Sequence, residues 1–216
     1  MPKQFKFWSA RKAASEETAP YGYRETPILL PSGQSVMVAG LAKLDSSLSA
    51  EETCRYLKAH DIAMIFGMHV LRAYREASQS HSISYVALDV PDFTAPGVQI
   101  YDQIFEALMS QARAGKKIAI HCHGGLGRTG TVLAALKLRE MSMKESFYEQ
   151  GDELDCVVEP QSLCTKNVHE AIEFIRSIPG SKHAIEDESQ VESLIEYESV
   201  LNLRHLNSIE SNRNAR

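Results

Sequence analysis

Two residues six positions apart, Cys122 and Arg128, bring the side-chain types that phosphoryl transfer to a thiolate requires. The thiolate is the reactive form of cysteine, and the guanidinium is a planar fork that bonds two phosphoryl oxygens at once and stays charged throughout. Such a pair recurs by chance in unrelated chains, so its meaning comes from its setting: His121-Cys122-His123-Gly124-Gly125-Leu126-Gly127-Arg128-Thr129-Gly130. An apolar strand, Lys117 to His121, precedes it, and a helix dense in Ala and Leu, Thr129 to Arg139, follows. Interleaved glycines let the backbone turn tightly. The N–H groups of His123, Gly124, Gly125, Leu126, Gly127 and Arg128 are therefore expected to form a nest for phosphate oxygens, reinforced by the dipole of the following helix. The same field favours a thiolate at Cys122. Thr129 is expected to join the phosphate-binding set and offer its hydroxyl to the Cys122 sulfur. His121 is expected to order the loop through hydrogen bonds, and the His123 side chain to point away from the nest. Lys cannot imitate the fork of Arg128, so Arg128→Lys is expected to be severely damaging.

A phenolate or alkoxide leaves far more easily if it is protonated as it goes, so this chemistry needs an acid on a second loop. Asp89-Val90-Pro91-Asp92-Phe93-Thr94-Ala95-Pro96 offers two carboxyls. Asp92 lies between two prolines on the turn after a strand, where a loop residue can hang over a site. It is the candidate general acid, and once ionised the base that activates water. Asp89 reads as still within the strand and structural.

The scaffold expected to position these groups is a single α/β domain: a central, twisted, mostly parallel sheet flanked by helices, with the phosphate loop between a strand and a helix. Strands are predicted over Val36 to Gly40, Ile62 to Phe66, Ile83 to Val90 and Lys117 to His121. Ser49 with Glu52 reads as a capping box opening a helix to about Ala59. Further helices are predicted over Val70 to Ala77, Gln99 to Ala112 with Gly115 ending it, Val168 to Arg176 and Glu188 to Leu203. Residues 1–26 read as a polar arm, 27–206 as the domain and 207–216 as a polar tail.

At 216 residues and 44% hydrophobic content the chain suits one sizeable core. A net charge of −5 gives no reason to expect nucleic acid or an anionic membrane as a partner. Cys54, Cys122, Cys156 and Cys164 contain no CxxC pair, which argues against a zinc site or a disulfide framework and for a reducing, cytoplasmic setting. The first twenty residues lack an apolar stretch of signal-peptide length, and no apolar run elsewhere is long enough to span a bilayer.

The chain resembles the protein tyrosine phosphatase superfamily, most closely its compact dual-specificity branch with the small atypical members. The resemblance runs from about Val36 to Leu203. It is carried by Val90-Pro91-Asp92-Phe93 with Pro96, the helix from Gln99, and His121-Cys122 through Arg128-Thr129-Gly130-Thr131. A later segment adds to it: Pro179-Gly180-Ser181, Ala184-Ile185-Glu186 and Gln190. The resemblance implies no metal or other cofactor and two-step hydrolysis through a phosphocysteine. One departure is the stretch Met143 to Lys166, which reads as an insertion and holds Cys156 and Cys164. A substrate-selecting flap, a partner site and a tolerated loop are all compatible with it, the last being favoured. Gln161 and Gln190 are candidates for positioning water, with Gln190 the better fit.

Hydrolysis of phosphotyrosine, and of phosphoserine or phosphothreonine, in proteins is the leading expectation. An inositol phosphate or phosphoinositide is the alternative substrate, but a multiply phosphorylated headgroup favours extra Lys or Arg, and residues 123–127 contain neither. A phosphoprotein-binding module without turnover would be expected to lack Cys122, Arg128 or the acid, and all three types are present.

Overall fold

The computed structural model describes residues 18–42, 48–69, 71–148, 165–185 and 187–214. Five strands form one sheet in the order β1-β2-β5-β3-β4: β1 (Arg24–Leu29), β2 (Ser35–Leu41), β3 (Ile62–Gly67), β4 (Ser84–Ala87) and β5 (Lys117–His121). The last four are parallel, and β1 pairs antiparallel with β2 at the edge.

Helices α1 (Ala50–Ala59) and α2 (Arg72–Ser80) cover one face; α3 (Val98–Arg113), α4 (Gly127–Tyr148), α5 (Lys166–Ser177) and α6 (Glu188–Asn214) belong to the other layer. Strand alternation divides the core accordingly. Ile118 and Ile120 of β5, with Val36 and Val38 of β2, join the core under α3 to α6, whereas Ala119, Ala39 and Leu41 face α1 and α2. Between Ile62 and Met64 a register irregularity shifts β3, so Ile62 and Ile65 both reach the α1/α2 side.

Several elements differ from the sequence expectations. β1 begins inside the stretch read as a polar arm. Its Arg24, Thr26 and Ile28 are buried while Pro27 is exposed. An edge strand tolerates that proline, because its missing N–H need not face a partner. Only Ser84–Ala87 of the run from Ile83 to Val90 pairs as strand, so Asp89 lies beyond β4 and is exposed. α1 opens on the expected capping box, Ser49 Oγ accepting from Glu52 N–H and the Glu52 carboxylate accepting from Ser49 N–H. α2 starts at Arg72 rather than Val70, which lies outside the described residues. α4 runs on to Tyr148, into the stretch read as an insertion, and residues 149–164, with Cys156, Gln161 and Cys164, lie outside the described residues. α6 extends through Asn214, so most of the stretch read as a tail is helical.

β1 is also tied to α4 by Glu140, which is 4% exposed. Its carboxylate accepts from Leu29 N–H at 3.0 Å and from Lys137 and Lys144 at 2.9 and 2.7 Å. Those three donors hold its carboxyl below the usual range against the opposing effect of burial.

Candidate active site

The carboxyl ends of the parallel strands converge on the glycine-rich loop, the place where open α/β sheets present ligand sites. β5 ends at His121, whose carbonyl accepts from Met68 N–H at 2.9 Å, so the chain after β3 runs beside the start of the loop. Leu88 N–H in turn donates to Gly67 O at 2.9 Å, bringing the acid-bearing segment alongside.

His121 is fully buried, stacked on Tyr74 at 5.0 Å, and its Nε2 meets the Tyr85 hydroxyl at 3.0 Å. Burial pushes its imidazole down to about 4, so it is neutral near pH 7. Gly67 is the glycine that makes room for this pair, since a Cβ there would sit 2.0 Å from Tyr85 Oη and 2.7 Å from His121 Nε2.

Cys122 is 2% exposed and its sulfur accepts from Gly125 N–H at 3.2 Å. Gly125 has φ +74°, and a Cβ on it would lie 2.7 Å from Ala42 N and 2.9 Å from the Leu41 carbonyl carbon. The loop thus packs directly on the end of β2. A Cβ at Gly124 would meet nothing within 4 Å among the described residues, and His123 is exposed, its ring edge-on to His69 at 5.1 Å. Thr129 Oγ1 differs from expectation: it is fully buried with no hydrogen-bond partner among the described residues, and the sulfur takes its hydrogen bond from Gly125 instead.

Arg128 is 4% exposed. Nη1 donates to Met68 O at 2.9 Å and Val90 O at 2.8 Å, which uses both of its hydrogens. Nη2 donates to Asp92 Oδ1. Of the five donors, Nε–H and one Nη2–H have no acceptor among the described residues, and the Nε/Nη2 edge of a guanidinium can bond two oxygens together. Cys122, Arg128 and Asp92 are therefore brought to one place from two loops. A group with a phosphoryl at the nest could be met by a sulfur nucleophile, a two-donor fork and a carboxyl.

The acid-bearing loop is anchored at both ends. Val90 O is held by Arg128, and Pro96 O accepts from Ser193 Oγ of α6 at 2.5 Å. With its one hydrogen so used, Ser193 accepts from the Tyr101 hydroxyl at 2.8 Å. Between the anchors, Thr94 Oγ1 donates to Pro91 O, and Phe93 has φ +56° and is 86% exposed. Gln190 is buried in the first turn of α6.

Residues the sequence reading missed include Ser193, Tyr85, Gly67 and Arg24. Arg24 Nη2 donates to the Gly125 carbonyl within the loop itself. Its alternation with Thr26 and Ile28 would have placed it on an inward row, had the segment been read as a strand. Among the described residues there is no cluster of three or more His, Cys, Asp or Glu placed to hold a metal, and no helix long and apolar enough to cross a membrane.

Residues 39–141, which hold Asp92, Cys122 and Arg128, match the family model Tc-R-P, described as "Polymorphic toxin system, DSP-PTPase phosphatase". Among solved structures, the chain is similar to Tk-PTP in its active form, with 26% identity over 80% of this chain and 96% of that one, at a TM-score of 0.53. Kinase associated phosphatase (KAP) with its catalytic site cysteine replaced by serine shares the fold at 20% identity, 87% and 98% coverage and a TM-score of 0.59. PTPMT1 in complex with PI(5)P shares it at 17% identity, 77% and 93% coverage and a TM-score of 0.55. Residues 39–141 are thus similar to a DSP-PTPase phosphatase family through both loops, and the chain shares the fold of these phosphatases.

Proposed function

We propose that Cys122 is the nucleophile, Arg128 the phosphoryl clamp and Asp92 the general acid of a phosphatase acting on phosphotyrosine, and on phosphoserine or phosphothreonine, in proteins. The observation that carries this reading is the meeting of Arg128 with Asp92 across the mouth of the loop whose Gly125 N–H points at the Cys122 sulfur. The phosphoryl oxygens accept from the N–H groups of residues 123–128 and from the Nε–H and Nη2–H donors of Arg128. The sulfur forms a bond to phosphorus as the phosphorus–oxygen bond to the leaving group breaks, and Asp92 gives its proton to that oxygen. A phosphoryl group on the fork competes for Nη2 with Asp92, which frees the carboxyl to face the leaving oxygen. In the second half, ionised Asp92 takes a proton from water as the water oxygen bonds to phosphorus and the sulfur departs. The phosphocysteine is thereby resolved to inorganic phosphate and free thiol.

The catalytic unit we infer extends from β1, with Arg24, through α6. A protein substrate is favoured because the loop positions 123–127 bear no Lys or Arg, while His123 of the loop is exposed against His69 and Phe93 of the acid-bearing loop is exposed. Cys54 and Cys122 are free thiols, which suits a reducing compartment such as the cytoplasm. Phosphate release from phosphotyrosine, phosphoserine and phosphothreonine peptides, run beside phosphoinositide vesicles and soluble inositol phosphates, tests the substrate class. Turnover of the peptides is expected, and release from inositol compounds alone would overturn it.

A further inference from the structure

The phosphate loop touches a second buried arginine that its own sequence does not announce. Arg24, on β1, is 6% exposed and stands directly across from Gly40 of β2. A Cβ at Gly40 would lie 3.5 Å from Arg24 Cζ and 3.2 Å from Thr129 Cγ2, so the guanidinium lies over this glycine, close to the first turn of α4. Nη2 donates to Gly125 O and Nη1 to Gly22 O at 3.2 Å, while Nε–H is buried with no acceptor among the described residues. Gly125 is thus held from both sides: its carbonyl by Arg24, its N–H by the Cys122 sulfur at 3.2 Å.

A buried guanidinium with an unused donor is costly unless negative charge lies near it. Two neutral backbone carbonyls do not supply that charge. Burial pushes the Arg24 guanidinium down from its ordinary value, and the charge of Cys122 acts in the opposite direction. Among the described residues, the other charged or titratable groups at the loop include Arg128 with Asp92, the neutral His121, and His69 with His123. Asp92 is bonded to Arg128, whereas the Cys122 sulfur is joined to Arg24 through Gly125, whose N–H it accepts and whose carbonyl Arg24 holds.

We propose that Arg24 is a positioning residue of this site, fixing the phosphate loop through Gly125 and supplying a second buried positive charge to the Cys122 thiolate. The proposal rests on Cys122 being the nucleophile. It separates the tasks of the two arginines: Arg128 meets the phosphoryl group, and Arg24 stays beneath the loop and acts through Cys122 and Gly125.

Two substitutions separate charge from hydrogen bonding. Arg24→Gln can still donate to Gly125 O but is uncharged, and Arg24→Lys keeps the charge. The readout is the rate of Cys122 alkylation by iodoacetamide against pH, with kcat and KM measured alongside. For Arg24→Gln the midpoint of alkylation should move up by about one pH unit, equivalent to roughly tenfold less thiolate below it, with kcat falling about tenfold and KM changing less than about threefold. Arg24→Lys should keep the midpoint near that of the natural chain. An unshifted midpoint in a folded Arg24→Gln variant would overturn the proposal, since a purely structural arginine changes melting but not thiol titration. A second measurement leaves Arg24 untouched: its buried Nε–H resonance should titrate together with the Cys122 thiol and lose that titration in Cys122→Ser. A resonance that does not follow the thiol would overturn the proposal even if the Arg24 variants fail to fold. Full turnover by Cys122→Ser would instead remove the nucleophile assignment on which it rests.

Discussion

Two adjacent glycines of the phosphate loop should respond in opposite ways to one methyl group. Alanine at Gly125 must hold φ +74° and place its Cβ 2.7 Å from Ala42 N and 2.9 Å from the Leu41 carbonyl carbon. Left-handed backbone costs a non-glycine residue about 1–2 kcal/mol, and crowding against backbone, which cannot turn aside, adds roughly 1–3 kcal/mol. A loss of about 2–5 kcal/mol lowers the melting temperature of a chain of this size by roughly 5–15 °C. Relief of the clash lifts the loop off β2 and moves the Gly125 N–H that bonds the sulfur and the Gly125 carbonyl that holds Arg24. Misplacement on the order of 1 Å in such a site costs roughly 100-fold in rate. Alanine at Gly124 meets nothing within 4 Å among the described residues and keeps its N–H, so it should retain activity within a few-fold. Melting by circular dichroism and steady-state hydrolysis of an aryl phosphate read both effects. A Gly124→Ala variant as damaged as Gly125→Ala, or a fully active Gly125→Ala, would refute the packing of this loop on β2.

Asp92→Ala should slow hydrolysis of phosphopeptides by roughly 100- to 10,000-fold while costing an activated aryl phosphate about tenfold or less, and equal losses on both would move the acid elsewhere. His121 makes stability pH-dependent. The folded state keeps its ring neutral down to about 4, whereas the unfolded chain takes up a proton near 6.5. Its contribution is complete above about pH 6.5 and lost as pH falls towards about 4, a difference of roughly 3 kcal/mol. Urea midpoints should therefore drop across that window in the natural chain and drop less in His121→Gln, and parallel slopes would contradict the buried neutral ring. Tyr85→Phe removes the hydroxyl that bonds His121 and should cost about 1 kcal/mol in the same urea titration.

The parts of the site legible in the sequence were those written in local chemistry. Gly124, Gly125 and Gly127 between Cys122 and Arg128 require a loop that no other residues make so readily, and prolines on both sides of Asp92 mark a turn. Helices α1 and α3 and strand β5 were readable because their apolar spacing and end signals agree, as with Ser49 and Glu52. What escaped was pairing at long range. Arg24 becomes part of the site only through an antiparallel neighbour, Gly40, and a loop a hundred residues on, and its segment carries an arginine, a glutamate and a proline that disguise an edge strand. Ser193 holds Pro96, and Gly67 clears room for Tyr85 and His121, for reasons that exist only once the sheet is assembled. The far end of α6 escaped because its last turns are polar and bury little, so no periodic stripe marks them.

The most direct measurement is a rapid-quench reaction with a 32P-labelled phosphopeptide, stopped in acid within milliseconds and followed by peptide mapping. Near-stoichiometric label is expected on the peptide holding Cys122, appearing before phosphate release and missing in Cys122→Ser along with turnover. Turnover that persists in Cys122→Ser, or phosphate released with no label ever found on Cys122, would contradict Cys122 as the nucleophile.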